Sequence, residues 1–87
     1  METLTYRILI EPDERGTFHG YAPALPGCHT WGKSIPETRR YLRDAMRAYL
    51  KSLVADNLPL PRDTGFESIE TLSMKDLRPR KRTSAYA

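Results

Sequence analysis

Eighty-seven residues, 39% hydrophobic and 29% charged, describe one ordinary globular domain with a small core, and exclude a disordered chain. The longest clearly aliphatic run, Ile8-Leu9-Ile10, is far short of the roughly 20 apolar residues that span a bilayer, so no membrane role is expected. The net charge of +3 is segregated: residues 1–32 carry −2, residues 33–51 +4, residues 52–74 −3 and residues 75–87 +4, which sets a basic helix and a basic tail against an acidic first third.

Residues 3–11 alternate, with Leu4, Tyr6, Ile8 and Ile10 pointing one way and Thr5, Arg7 and Leu9 the other, which predicts a half-buried strand. The run Glu11-Pro12-Asp13-Glu14-Arg15-Gly16 breaks it with turn residues, and Thr17 to Ala22 reads as a second strand in an antiparallel hairpin. Pro23, Pro26 and Gly27 form the next turn, the glycine free to take a left-handed position, and Cys28 to Trp31 is a third strand. Ser34 and Glu37 have the spacing of a capping box, with Pro36 tolerated in the first helical turn.

A helix from about Ile35 to Val54 follows. Its apolar stripe is Ile35, Leu42, Ala45, Met46, Tyr49 and Leu53, and its other side carries Arg39, Arg40, Arg43, Asp44, Arg47 and Lys51. Asp56-Asn57 ends it, and Pro59 and Pro61 forbid its continuation. Phe66 to Leu72 reads as a fourth strand, although Phe66 and Leu72 fall on one face and Ile69 on the other. Residues 1–74 form the expected domain, and residues 75–87 a loose basic tail.

The order β-β-β-α-β makes an α+β fold with a single helix over a small, mostly antiparallel sheet. One helix covers one face only. Leu9, Tyr21, Trp31 and Ile69 are expected on the other, with Arg7 and His19 between them, and a face of that kind calls for a protein partner. Asp13, Glu14 and His29 complete the candidate contact set of Leu9, Asp13, Glu14, Tyr21, His29 and Trp31. Aromatic residues dominate interface hot spots, which favours Tyr21 and Trp31.

Catalytic chemistry finds little support. Two-metal hydrolysis needs carboxylates converging from rigid strands, and the first strand holds no acid before Glu11. Cys28 and His29 are strand neighbours that point to opposite faces, and His19 is the only other histidine, so a metal site is short of ligands. No enzyme activity, metal or cofactor is expected. The single cysteine cannot form an intramolecular disulfide, and no basic leader precedes an apolar run, in keeping with a cytoplasmic protein. The arginine-rich helix leaves RNA binding as a rival reading, at most weak, because Tyr49 lies on its buried stripe and Tyr41 is the one exposed candidate for base stacking.

Across roughly residues 4–72 the ordered pieces resemble the HicB-like antitoxin family. The pieces are Tyr6-Arg7-Ile8-Leu9-Ile10, the acidic turn ending in Gly16, and Phe18-His19-Gly20-Tyr21-Ala22-Pro23. Leu25-Pro26-Gly27-Cys28-His29-Thr30-Trp31-Gly32 follows, then Leu42, Ala45, Ala48, Tyr49 and Leu50 of the helix, and Leu58-Pro59-Leu60-Pro61. The resemblance implies a partial ribonuclease H-like fold without ribonuclease activity. It also implies a partner, a HicA-like toxin that cleaves messenger RNA and that the antitoxin neutralises by covering it. Many members add a C-terminal DNA-binding module; the fifteen residues beyond Leu72 are too few for one, so direct operator repression is not expected. Self-association through the open sheet face, as a dimer or a pair of dimers, is expected as well.

Overall fold

The computed structural model describes residues 2–79. Three antiparallel strands in the order β1 (Leu9–Pro12), β2 (Phe18–Tyr21) and β3 (His29–Gly32) form the sheet. A 21-residue helix, α1 (Ile35–Ala55), packs against it, and a single helical turn, α2 (Met74–Leu77), follows far downstream.

The turns are built as their residues demand. In the β1–β2 hairpin, Gly16 N–H donates to Asp13 O and Asp13 N–H to Thr17 O, with Gly16 at φ 80° supplying the left-handed residue that a bulged hairpin needs. Between β2 and β3, Cys28 N–H donates to Leu25 O across Pro26-Gly27, with Gly27 at φ 81°, the proline-then-glycine order of a type II turn. Ser34 caps α1 by accepting from Glu37 N–H at 3.2 Å, and Glu37 reaches back one residue further than the usual box to accept from Lys33 N–H at 2.7 Å. At the far end Asn57, at φ 56°, terminates the helix: its N–H bonds Val54 O and Leu58 N–H bonds Leu53 O, the paired pattern of a Schellman motif.

Ala22, Leu25, Cys28 and Leu42 form the buried core, with Tyr6, Ile8, Ala45, Met46, Tyr49 and Leu50 packed around it. The alternation expected for the first strand therefore holds for Tyr6 and Ile8, although ladder pairing begins only at Leu9. Burial pushes the Cys28 thiol above its ordinary range, so it behaves as a small apolar residue rather than a thiolate. Thr38, fully buried, sits where the helix meets the sheet and donates its hydroxyl to Ser34 O at 2.7 Å. A Cβ on Gly32 would lie 2.5 Å from Thr38 Oγ1 and 2.8 Å from Thr38 N, and one on Gly20 would lie 2.9 Å from Thr38 Cγ2. These two glycines let the helix descend onto β2 and β3.

After the helix the chain returns along the N-terminal segment. Tyr6 Oη donates to Pro61 O at 2.6 Å, and Asp63 accepts from Arg7 N–H at 2.8 Å and from Arg7 Nε at 3.0 Å. Asp63 also accepts from Gly65 N–H at 2.9 Å. These donors hold its carboxyl at about 2, chiefly through the Arg7 side chain, while Arg7 is raised in turn by the same bond.

Three expectations are corrected. The fourth strand is absent among the described residues: Phe66 to Leu72 pairs with nothing, and Phe66, Ile69 and Leu72 stand 88%, 93% and 67% exposed. Apolar side chains three apart cannot share one strand face, so no face of this segment repays docking. Ile69 is therefore missing from the open sheet face. Ile35, the first helical residue, precedes the stretch of α1 that overlies the sheet and is half exposed instead of lying on the buried stripe. Of the basic tail, residues 80–87 lie outside the described residues.

Two outcomes test this account. Gly32→Ala drives a methyl into helix backbone and is expected to cost about 1–3 kcal/mol in urea unfolding; an unchanged midpoint would show that the helix does not sit this close. Asp63 has a folded pKa below its unfolded one, so its contribution is complete above about pH 4 and is lost as pH falls toward 2. The unfolding midpoint should drop over that window in the parent protein and drop less in Asp63→Asn; equal slopes would remove the Arg7–Asp63 bond from the account.

Candidate functional site

Antiparallel register decides which side chains meet. Leu9 pairs with Tyr21, and Tyr21 with His29; Glu11 pairs with His19, and His19 with Trp31. Directly opposed residues share a face, so these two rows stand together on the side of the sheet that α1 leaves open. The intervening rows, Ile10–Gly20–Thr30 and Pro12–Phe18–Gly32, face the helix.

His19 lies at the centre of the open face. Its ring stacks on Trp31 with centroids 4.7 Å apart and on Tyr21 at 5.5 Å. His29 stands edge-on to both His19, at 5.2 Å, and Trp31, at 4.9 Å. His19 Nε2 and His29 Nδ1 are 3.1 Å apart, a hydrogen bond in which the tautomers decide the donor. Four rings thus form one continuous plate, and Trp31 remains 48% exposed.

Carboxylates rim the plate. Asp13 accepts from the Trp31 indole N–H at 3.0 Å through Oδ2, while its Oδ1 takes Glu14 N–H at 2.6 Å, so one side chain fixes both the hairpin turn and the tryptophan rotamer. Glu11, Asp13 and Glu14 border shallow depressions beside Trp31 and His19, with Arg15 the one cation in the turn. No group of three metal-ligating side chains occurs among the described residues. No buried side-chain polar atom among them lacks a partner. What the face offers chemically is aromatic area, ring π-faces and negative charge. Such a surface receives cations and flat apolar groups.

Of the expected contact residues, the fold brings Leu9, Tyr21, His29 and Trp31 onto this face, ties Asp13 to it through Trp31, and leaves Glu14 at the exposed hairpin tip. His19 and Glu11 were not among them. Both have the parity of their neighbours Tyr21 and Leu9, but only the hairpin register shows that His19 is the hub of the stack. The opposite surface carries the exposed Arg39, Arg40, Arg43 and Arg47 of α1; Arg47 pairs with Asp44 at 3.3 Å and Arg40 lies over the Tyr41 ring at 5.8 Å.

Comparison with known proteins agrees with this architecture. The N-terminal domain of the Burkholderia pseudomallei antitoxin HicB has a similar fold: its crystal structure superposes with a TM-score of 0.57 at 18% identity, covering 80% of this chain and 74% of that one. A UPF0150 protein of Thermoplasma acidophilum is 41% identical over 64 residues, spanning 74% of this chain and 93% of its own length. A second UPF0150 protein, from Synechocystis, is 33% identical over 58 residues, 67% of this chain and 73% of that protein. The profile described as HicB_like antitoxin of bacterial toxin-antitoxin system matches residues 6–76, and the chain belongs to that family.

Proposed function

We propose that this chain is a non-enzymatic, cytoplasmic antitoxin that binds a HicA-like, messenger RNA-cleaving toxin through the open sheet face and so blocks its active surface. Family membership supports the antitoxin role. The observation that carries the choice of face is the acid-rimmed plate of His19, Tyr21, His29 and Trp31, which no element among the described residues covers. A protein that handles RNA presents cationic surface, and aromatic rings flanked by Glu11, Asp13 and Glu14 complement it in both charge and shape. No helix of the described residues is long and apolar enough to cross a membrane.

Co-expression with a small toxin encoded beside this gene tests the reading. The parent chain should relieve growth arrest and co-elute with the toxin. Trp31→Ala, which removes the exposed ring that stacks on His19, should cost about 2 kcal/mol or more of binding, roughly 30-fold in Kd. Rescue and affinity untouched by Trp31→Ala would remove the open face from the toxin contact, and arrest without any complex would remove the antitoxin reading.

The exposed arginines of α1 support a second, weaker activity toward nucleic acid. Binding carried by Arg39, Arg40, Arg43 and Arg47 should be non-specific and fall steeply with salt, by a log–log slope that tracks the phosphates neutralised. We expect little of it to survive at about 0.15 M salt. A sequence-selective complex that persists there would overturn this assignment.

A further inference from the structure

Hydrogen-bond parity settles which backbone groups the sheet leaves unused. Ala22 N–H donates to Cys28 O at 3.3 Å, one step beyond the β2–β3 ladder and in the same register. Bonded and non-bonded pairs alternate along an antiparallel ladder, so Gly20–Thr30 and Phe18–Gly32 are the bonded pairs. The N–H and C=O groups of His29 and Trp31 therefore point away from β2, to the outer edge of β3. Among the described residues no backbone or side-chain group meets them there. Lys33 is next in that parity, and its N–H is already taken by Glu37 Oε1 at 2.7 Å.

The two edges of the sheet are not alike. By the same alternation β1 turns the backbone of Ile10 and Pro12 outward, and proline has no N–H to offer. Just before β1, Arg7 N–H is occupied by Asp63 at 2.8 Å. Edges that are meant to stay unpaired carry such guards: a proline, a charge or a covering segment. The sequence of β3, His29-Thr30-Trp31-Gly32, has no proline, acid or lysine. Its open groups sit two residues apart, about 6.7 Å, which is the repeat of an extended chain.

We propose that the outer edge of β3 receives an extended segment of a partner protein, which pairs with His29 and Trp31 as a fourth strand. Charge does not choose this occupant. Asp13 and Glu14 reach Trp31 from the hairpin and Glu37 lies at the end of the edge, but Arg15 and Lys33 offset most of that. Unpaired main-chain donors and acceptors at strand spacing choose it, because another extended backbone satisfies both at once. The added strand lies beside the exposed His29 and Trp31 side chains, so edge and aromatic plate form one continuous surface. The identity of the partner as the toxin rests on the antitoxin reading above; the pairing itself does not.

The full-length chain and a capped heptapeptide of alternating valine and lysine test it, with a twin N-methylated along one edge as control. Amide exchange by NMR is the readout. In the free chain the His29 and Trp31 amides should exchange fast, and that of Thr30, which faces β2, slowly. Millimolar peptide should slow His29 and Trp31 at least about tenfold and leave Ile10 as it was, and the twin should do neither. His29→Pro deletes an outward N–H and no ladder bond; against His29→Ala it should weaken peptide binding at least about fivefold.

Exchange at His29 and Trp31 that millimolar peptide leaves unchanged, or that the N-methylated twin slows equally, overturns the proposal, and neither result depends on His29→Pro folding. Slow exchange in the free chain that quickens on dilution also overturns it, because a second copy would then hold the edge. Toxin bound without slowing the two amides overturns it and leaves the antitoxin reading standing. A paired peptide with no toxin complex upholds the edge and removes that reading.

Discussion

A single helix seated closely on two glycines is the constraint from which the other features follow. Thr38 approaches β2 and β3 at Gly20 and Gly32, at distances that leave no room for a Cβ. The helix axis is thereby drawn down until Leu42 is fully buried and Ala45, Met46, Tyr49 and Leu50 close around Ala22, Leu25 and Cys28. A bulkier residue at either glycine would lift the helix and open voids beneath it, and voids in a core this small remove a large share of its contacts. The seating also settles which face is spared. With every helix-facing row committed to α1, the rows of Leu9, Tyr21, His29 and Glu11, His19, Trp31 have no cover from the body.

That spared face is ordered without being covered. An exposed tryptophan ordinarily samples several rotamers, but Trp31 is held by Asp13 on one side and stacked on His19 on the other. Tyr21 and His29 are fixed in turn by the same histidine. Pre-ordering of this kind lowers the entropy that a partner must overcome in docking, and aromatic rings lose little rotamer freedom to begin with. The acids do double duty. Asp13 completes the hairpin turn, orients Trp31 and contributes negative potential, so the geometry and the electrostatics of the surface rest on one carboxylate.

Much of the fold was legible because its signals are local. Alternation from Leu4 to Ile10, proline and glycine at the 25–28 turn, and the Ser34–Glu37 spacing each name a structure within a few residues. The helix ended at Asp56-Asn57 for a reason visible in the sequence, since asparagine tolerates the left-handed position that closes a Schellman motif. What was not legible depended on non-local geometry. Gly20 and Gly32 look like weak strand residues until the helix is placed above them, and His19 looks like an ordinary polar strand position until register puts it between Tyr21 and Trp31. Phe66, Ile69 and Leu72 suggested a strand by their composition, but the spacing of three defeats the pleat. The four contact candidates on strands, Leu9, Tyr21, His29 and Trp31, shared one weakness: parity places residues on a face but does not show which of them stack.

The Arg7–Asp63 anchor marks where the body ends. There, hydrogen bonds from Tyr6 to Pro61 and from Arg7 to Asp63 tie the returning chain to the N-terminal segment across more than fifty residues. Downstream, Phe66, Ile69, Leu72, Met74 and Leu77 stand exposed. A body with four buried hydrophobic residues has little stability in reserve, and whatever occupies its open face adds to that stability in proportion to the logarithm of its concentration over its Kd. In a body this small, any partner that bound the folded state alone would shift the folding equilibrium as well. A larger core would make the face a passive platform. Here, a partner that covered the plate of His19, Tyr21, His29 and Trp31 would add apolar burial to a body of one helix and three strands.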